Sequence, residues 1–402
     1  MHDTTGQSQG GRAPRVLFYS HDTFGLGHLR RSRALASAIT AADPAISAVI
    51  LTGSPVAGRF TFPERVDHIR LPGVTKTPDG SYVSETLGLD IDETTALRAG
   101  LIKSAAEHFD PDLLIVDKEP TGFRGELLPA LNLLRDKRRA RLVLGLRDVL
   151  DSPEELAVEW DRKEAGAATE RYYDEIWVYG LRSIYDPTAG LTLSQEARAR
   201  MHFTGYLRRA ALEEEAEPPE EPYILITPGG GGDGQAMVNL VLSAYERDPA
   251  LSPGARLVYG PFLSGVERAE FEERVNRLDG RVRAVGFDSR MENLYRGARG
   301  VVCMGGYNTF CEVLSFDKPA VIVPRTFPRR EQYIRAHRAE ELGLVRCLDE
   351  YRDGLTPQAM IDAIRALPDQ RKPSEAIFPG LLDGLDRVSD RVQALLRSPV
   401  PA

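Results

Sequence analysis

The stretch 301–337 constrains the fold of this chain more than any other. A short apolar run at Val301–Met304 leads into the pair Gly305-Gly306, and helix-forming residues follow. A second apolar run begins at Ala320, after a Lys-Pro pair that ends the helix, and further helix-forming residues come after it. This order predicts a strand, a glycine turn, a helix, a second strand and another helix, which is typical of a parallel α/β sheet.

Polar residues gather in this stretch where strands end and helices begin. Asn308, Thr309 and Glu312 lie on the first turns of one predicted helix, and Gln332 lies at the start of the next. Ligands of open α/β sheets bind at that edge, and helix N-termini there present free N–H groups to phosphate. A carboxylate such as Glu312 can accept both hydroxyls of a ribose. The stretch predicts a nucleotide-binding half-site, although the same letters also fit an ordinary βαβα packing unit.

This pattern resembles the sugar-nucleotide-binding motif of a known family. The family comprises inverting glycosyltransferases with the GT-B fold, especially those of the lipid-II N-acetylglucosaminyltransferase type and uncharacterised bacterial predicted glycosyltransferases. In it, a Gly-x-x-Thr-x-x-Glu pattern binds the donor and the Glu holds the ribose. Gly306, Thr309 and Glu312 match that pattern. The resemblance covers most of the chain, is most specific over 223–337, and implies an α/β protein with two Rossmann-like domains facing across a cleft.

The helix after the second strand departs from the family pattern at two places. The family has a Gln-Gln pair that contacts the donor sugar, whereas this chain has Glu331-Gln332, so only Gln332 matches. Arg335 replaces an Asn of the family. The resemblance implies metal-independent transfer of a sugar, with inversion, from a nucleotide-diphosphate donor to an unknown hydroxyl acceptor. A uridine-diphosphate sugar is the favoured donor, and no further cofactor is expected.

The composition excludes several classes of protein. The chain has 402 residues, enough for two domains, and its net charge of −8 comes from interspersed acids and bases, which argues against nucleic acid as a partner. We find no apolar run near the ~18 residues of a membrane span, so only peripheral membrane contact stays open. Three cysteines without metal-ligand spacing indicate a reducing cytoplasm, in which we expect the protein to reside.

The alternation of strands and helices divides the chain into two α/β halves. Apolar runs alternate with helical periodicity, including one helix predicted over Glu154–Tyr173, and the acidic, proline-rich run Glu213–Pro222 reads as an exposed linker. The resemblance implies that the last helix crosses back onto the first half. The predicted units are a disordered tail at 1–14, an acceptor-side Rossmann-like domain at 15–212, the linker at 213–222, a nucleotide-sugar-binding Rossmann-like domain at 223–370 and the C-terminal segment at 371–402.

A glycine run follows the first predicted strand of the second half. Its members are Gly229, Gly230, Gly231 and Gly232. Without Cβ atoms the backbone can approach a pyrophosphate closely, although a flexible turn gives the same letters. The family also has a glycine-rich loop here, and we expect it to bind the donor diphosphate. Arg209 stands where the family has an arginine near the donor.

The first half supplies the candidate catalytic groups. His28 follows Gly25-Leu26-Gly27 at the start of the first helix, as in the Gly-His turn of the family. An imidazole there can take a proton from an attacking hydroxyl, or it can simply cap the helix. Asp117 ends a strand and either orients His28 or caps the next turn. Arg147, also at a strand end, either serves an anionic acceptor or pairs with Asp148.

Other functions fit the letters less well. Retaining GT-B enzymes have a second Glu where this chain has Ala320, and sugar-nucleotide 2-epimerases have paired acids after the glycine turn where this chain has Glu312 alone. The pair Asp110 and Asp112 precedes its strand, so it lies at the wrong edge for a metal-binding DxD, and no metal site is predicted. The alternatives that stay open are an epimerase-like enzyme and a non-catalytic sugar-nucleotide-binding module.

Overall fold

The computed structural model describes residues 12–21, 27–77, 81–209, 221–230, 233–260, 263–285 and 291–398. Most of the predicted tail and linker, together with Gly231 and Gly232, lies outside the described residues. The described part forms two parallel α/β sheets, one in each half of the chain, and a short antiparallel hairpin. The prediction of two Rossmann-like α/β domains is confirmed.

The first domain contains nine of the described strands and six helices. The strands are β1 (Arg15–Ser20), β2 (Ser47–Thr52), β3 (Val66–Arg70), β4 (Val74–Lys76), β5 (Tyr82–Ser84), β6 (Leu113–Asp117), β7 (Arg141–Arg147), β8 (Glu175–Tyr179) and β9 (Met201–Phe203). The helices are α1 (Gly27–Ala42), α2 (Ile91–Phe109), α3 (Leu128–Lys137), α4 (Pro153–Arg162), α5 (Ala165–Tyr172) and α6 (Gln195–Ala199). The parallel sheet has the order β3-β2-β1-β6-β7-β8-β9, and β4 pairs with β5 in the hairpin.

The second domain repeats the scheme with a smaller sheet. Its strands are β10 (Tyr223–Thr227), β11 (Gly254–Val258), β12 (Val282–Val285), β13 (Ala298–Cys303), β14 (Ala320–Ile322) and β15 (Arg346–Cys347). Its helices are α7 (Gln235–Arg247), α8 (Gly265–Asn276), α9 (Met291–Gly297), α10 (Tyr307–Ser315), α11 (Glu331–Glu341) and α12 (Pro357–Ala366), and α13 (Gly384–Arg397) ends the described chain. The sheet order is β12-β11-β10-β13-β14-β15.

Each sheet has one point where the strand order reverses direction. In the first domain this point lies between β1 and β6, and in the second it lies between β10 and β13. The loops after two such strands diverge to opposite faces of the sheet and leave a crevice, which is where open α/β sheets bind ligands. The strands at these points are apolar and almost wholly buried, as parallel strands covered on both faces must be.

The C-terminal helix α13 returns to the first domain. Arg391 on α13 donates to the Glu175 carboxylate, with Nε lying 2.7 Å from Oε2. Where the chain crosses, the backbone N of Tyr206 donates to the Leu381 carbonyl at 2.7 Å. A Cβ on Gly205, whose φ is +90°, would lie 2.4 Å from a backbone carbonyl of this crossing. Only glycine allows the two segments to approach this closely.

One predicted helix is wrong. The stretch Glu154–Tyr173 forms two helices, α4 and α5, and not one. Glu164 separates them with a left-handed φ of 51°, a conformation that ends an α-helix. Lys163, the residue before the break, donates to Glu119 at 2.9 Å and to Glu159 at 2.6 Å. Long-range contacts of this kind override the local helix-forming pattern.

Candidate active site

A large cavity of about 1530 Å³ lies between the two domains. Residues that follow the strands at both reversal points line it. The predicted site residues on its wall are His28, Gly229, Gly230, Gly306, Asn308, Thr309, Glu312 and Gln332. Asp117 and Arg209 lie behind this wall, where they contact His28 and Asn308 respectively.

The first turn of α1 and the end of β6 bring His28 and Asp117 together. His28 Nδ1 lies 2.5 Å from Asp117 Oδ2. Arg31, one turn further along α1, donates from Nε to Asp117 Oδ1 at 2.9 Å and from Nη2 to Oδ2 at 2.7 Å. The same Nη2 lies 3.0 Å from His28 Nδ1. The Asp117 carboxylate is thus shared between a histidine and an arginine of one helix face.

Asp117 stays ionised in this arrangement. Burial by itself raises its pKa, but Arg31 and His28 together lower the pKa well below the usual range of an aspartate. A carboxylate beside Nδ1 favours the tautomer with its proton on that nitrogen, and it stabilises the imidazolium after protonation. Nε2 of His28 is then the basic nitrogen.

The loop after β10 lies over the first turn of α10. Gly229 has a φ of +92°, and its N–H donates to Thr227 Oγ1 at 3.3 Å. A Cβ on Gly229 would lie 3.6 Å from Thr309 Oγ1. The left-handed φ favours glycine, and the loop thereby comes close to the N-terminus of α10. Backbone N–H groups of a glycine loop beside a helix N-terminus suit a phosphate group.

Asn308 connects the two domains. Its Nδ2 donates to the Gly27 carbonyl at 3.0 Å, and its Oδ1 accepts a bond from Arg209 Nη2 at 2.7 Å. The backbone N of Arg209 donates to Ser315 Oγ at 2.9 Å. Arg209 therefore fixes Asn308 and α10 from behind, and it is not among the residues on the cavity wall.

Glu312 forms an ion pair with Arg30 across the domain boundary. Glu312 lies on the second turn of α10, where its side chain is 3% exposed, and Arg30 lies on α1. Burial lowers the pKa of Arg30, but the Glu312 carboxylate outweighs this and raises that pKa above its usual value. A ribose that binds Glu312 has to share the carboxylate with the Arg30 guanidinium or displace that guanidinium.

Gln332 lies on the cavity wall at the start of α11. Its Oε1 accepts a hydrogen bond from the backbone N of Arg325 at 3.0 Å. The Arg325 guanidinium in turn pairs with Glu331 and with Asp233, which follows the glycine run. These contacts join the loop before α11 to the loop after β10, so the residue predicted to reach the sugar is held beside the predicted diphosphate loop.

Sequence reasoning missed the two arginines of α1 at this site. Arg30 and Arg31 come two and three residues after His28, which places Arg31 on the same helix face as His28. That spacing could have placed Arg31 beside the Asp117 carboxylate. No local signal pairs Arg30 with Glu312, because the two residues belong to different domains.

The substituted residue Arg335 pairs with Asp148 in a buried clamp between the domains. Arg335 of α11 donates from Nε and Nη2 to the two Asp148 oxygens at 2.8 and 2.6 Å, and from Nη1 to the Gly305 carbonyl at 3.0 Å. Tyr206 also donates to Asp148 Oδ2 at 3.0 Å. The alternative in which Asp148 pairs with Arg147 is wrong, because Asp148 pairs with Arg335 and no ion pair joins it to Arg147 among the described residues.

A second contact between the domains predicts a difference in acid stability. Glu159 of α4 accepts bonds from Arg329 at 3.1 Å and from Lys163 at 2.6 Å. Burial raises the pKa of Glu159, but Arg329, Lys118 and Lys163 lower it to about 2, from 4.5. The pKa of Glu159 is lower in the folded state than in the unfolded state. The ionised Glu159 therefore stabilises the fold fully above pH 4.5, and this stabilisation is lost as the pH falls toward 2.

We therefore expect the free energy of unfolding of Glu159→Gln to fall less steeply between pH 4.5 and 2 than that of the wild type. Urea denaturation at a series of pH values measures this. The exposed Glu154 lies on the same helix, and Glu154→Gln is the matched control. If the free energies of unfolding of the wild type and Glu159→Gln fall in parallel with pH, the low pKa assigned to Glu159 is contradicted.

Two negative findings apply to the described residues only. Within them, no group of three or more His, Cys, Asp and Glu side chains could hold a metal ion. None of the helices in that part of the chain combines the length and the apolar character that a membrane crossing requires.

The architecture defines the class. Two parallel α/β domains that face a shared cavity across their reversal points are the arrangement of GT-B glycosyltransferase structures, and these superpose over nearly the whole chain. The crystal structure of TcCGT1 in complex with UDP matches with a TM-score of 0.67 at 12% identity, over 95% of this chain and 99% of that chain. Identity this low establishes the shared fold alone.

Sequence comparison finds a match to a known family in the second domain. Residues 226–376 match the Glycosyltransferase family 28 C-terminal domain. The chain is 29% identical over 153 residues, 38% of each protein, to an uncharacterized glycosyltransferase of Methanosarcina mazei. It is also 29% identical over 125 residues to the UDP-N-acetylglucosamine–N-acetylmuramyl-(pentapeptide) pyrophosphoryl-undecaprenol N-acetylglucosamine transferase of Actinobacillus pleuropneumoniae serotype 5b, which is 31% of this chain and 35% of that relative. The chain thus spans about two fifths or less of these relatives, and the predicted resemblance is confirmed.

Proposed function

We propose that this protein is a glycosyltransferase that moves a sugar from a nucleotide-diphosphate donor, a uridine-diphosphate sugar, to a hydroxyl acceptor with inversion. One observation supports this most strongly. His28, which Asp117 contacts from behind, lines the same cavity as Gly229, Gly230 and the first turn of α10 on the second domain. Such a placement suits a reaction in which a base on one side activates a hydroxyl against a donor held on the other.

In this proposal the donor lies mainly on the second domain. Glu312 accepts the ribose hydroxyls after Arg30 releases it. The N–H groups of Gly230 and of the first turn of α10 bind the diphosphate, with Gly229 and Thr309 Oγ1 beside them. These are fixed dipoles, so the positive charge that the leaving group needs is in place before the reaction. Gln332 contacts the sugar.

The acceptor enters from the first domain, near His28. The acceptor oxygen attacks the anomeric carbon, and a new carbon–oxygen bond forms as the bond to the diphosphate oxygen breaks on the opposite face. The hydroxyl proton passes to Nε2 of His28, and Asp117 stabilises the imidazolium that results. Attack from the face opposite to the leaving group inverts the configuration. The protein needs no metal ion or further cofactor in this scheme.

The proposed setting is the cytoplasm. The chain's three cysteines, Cys303, Cys311 and Cys347, are buried free thiols, which suits a reducing compartment. Burial raises the pKa of the Cys303 and Cys347 thiols to about 12. These thiols are therefore protonated and unreactive packing groups at neutral pH.

Thermal shifts with uridine, guanosine, adenosine and thymidine diphosphates test the donor half-site. A ligand that binds only the native state stabilises it by about 2.7 kcal/mol at 100 times its Kd. We expect a rise in Tm with one of these diphosphates, uridine diphosphate, and its loss in Glu312→Gln, because the amide cannot accept both ribose hydroxyls.

The exposed Glu273 of α8 supplies the matched control, and Glu273→Gln should keep the full rise. A Tm that none of the four diphosphates moves would refute the sugar-nucleotide assignment. A rise that Glu312→Gln retains would keep a nucleotide site but remove Glu312 from the ribose.

A further inference from the structure

Arg147 differs from three neighbouring arginines, each of which pairs with a carboxylate. Arg30 pairs with Glu312, Arg31 with Asp117 and Arg335 with Asp148. Arg147 ends β7 and lines the cavity. Among the described residues, its guanidinium has no hydrogen-bond partner and no carboxylate within ion-pair distance. Its Nε is buried without a partner in that part of the chain.

The surroundings of Arg147 make this an unfavourable place for an unpaired cation. Arg31 and Arg335 lie close enough to repel it. Burial lowers the pKa of Arg147 to about 10, and these two guanidinium groups add to this, although Glu331 and Asp148 raise it. The Glu331 carboxylate contacts Arg325 through Oε1 and lies beyond ion-pair distance of Arg147, so it acts on Arg147 only through space. A guanidinium on a cavity wall with an unpartnered N–H suits an anion from outside the protein.

Lys118 adds a second cation at the same edge. It directly follows Asp117, and its backbone N donates to the Gly145 carbonyl, two residues before Arg147 on β7. Lys118 has a φ of 71°, a strained conformation for a residue with a Cβ. Its ammonium lies 3.1 Å from Glu119 Oε1, and Arg147 and Arg329 lie close enough to lower its pKa after burial has done so.

The location of these two cations identifies the substrate they serve. Arg147 ends β7 and Lys118 follows β6, so both lie on the same sheet edge of the first domain as Asp117. The glycine run and Glu312 belong to the second domain. The acceptor is the substrate expected on the first-domain side, and an arginine fork matches a phosphate or a carboxylate with two parallel hydrogen bonds.

We propose that Arg147, assisted by Lys118, binds an anionic group of the acceptor, a phosphate or a carboxylate, near the hydroxyl that His28 deprotonates. This rests on the proposed glycosyl transfer, because only that reaction defines an acceptor. The acceptor is therefore an anionic hydroxyl compound, and neutral alcohols of the same shape are poor substrates.

The test uses inorganic phosphate and acetate as probes, with the full chain and with the donor half-site saturated by the diphosphate that binds it. We expect phosphate or acetate to raise the Tm of the wild type under these conditions. Arg147→Gln should weaken binding of that anion at least tenfold, and Arg147→Lys should retain part of it. Arg277→Gln, at an exposed arginine directly after α8, should change nothing.

A structural role is distinguished by the unliganded Tm. Removing a half-buried cation that has no contacting partner among the described residues should leave the Tm of Arg147→Gln equal to or above that of the wild type, whereas loss of a structural contact would lower it. The proposal is overturned if neither anion binds the saturated wild type, if binding survives in Arg147→Gln, or if the diphosphate abolishes it and so places the anion in the donor half-site. If no diphosphate binds while the anion still binds at Arg147, the proposed glycosyl transfer is refuted instead.

Discussion

His28→Ala is expected to reduce sugar transfer by about 10²- to 10⁴-fold, the usual contribution of a positioned general base. The reason is geometric. His28 Nδ1 is held 2.5 Å from Asp117, which leaves Nε2 as the basic nitrogen at the cavity wall. Because His28 lies on the first domain, diphosphate binding should persist. Turnover of the uridine-diphosphate sugar, measured as released diphosphate with and without candidate acceptors, gives the rate.

Two further variants define the role of His28. Asp117→Asn should also slow turnover, because the amide removes the charge that stabilises the imidazolium. His108→Ala is the control, since His108 is an exposed histidine on α2. If the rate of His28→Ala stays within twofold of the wild-type rate, another residue is the general base. Tight diphosphate binding with no turnover in the wild type under any acceptor would instead favour the non-catalytic binding module.

The approach of His28 to Asp117 could be predicted from the sequence, and the reason is topological. His28 comes after β1 and Asp117 ends β6, and these two strands are neighbours at the reversal point of the first sheet. Residues at such strand ends converge whenever the sheet is parallel. In the second domain the same rule brings Gly229, after β10, close to Thr309 on the first turn of α10.

Contacts between the domains could not be predicted in this way. The pairing of Arg30 with Glu312 and that of Arg335 with Asp148 depend on how two separate sheets face each other. No periodicity in either domain encodes that orientation. The pattern at Arg147-Asp148 left two alternatives, and the position of α11 removed one of them, the pairing of Arg147 with Asp148. Such side chains are identified by charge and spacing only after the domain arrangement is known.

The largest effect on stability is expected for Arg335→Met. The variant leaves Asp148 charged, 1% exposed and without its bidentate partner, and removal of one member of a buried pair costs about 3–5 kcal/mol. The Arg335 guanidinium also lies 5.8 Å from the centroid of the Tyr307 ring, whose distance to Arg31 is 5.4 Å. Loss of the clamp should therefore loosen the domain contact beside the histidine as well as lower the free energy of unfolding.

Chemical denaturation of single and double variants tests this clamp. Adding Asp148→Leu to Arg335→Met should recover most of the loss, because an apolar pair leaves no buried charge behind. The exposed Arg277 supplies the control, and Arg277→Met should cost less than about 0.5 kcal/mol. A loss below about 1 kcal/mol for Arg335→Met would show that water or a neighbouring cation reaches Asp148 when the clamp opens. In that case the arginine that replaces the family's asparagine would set the position of α11 rather than hold the two domains together.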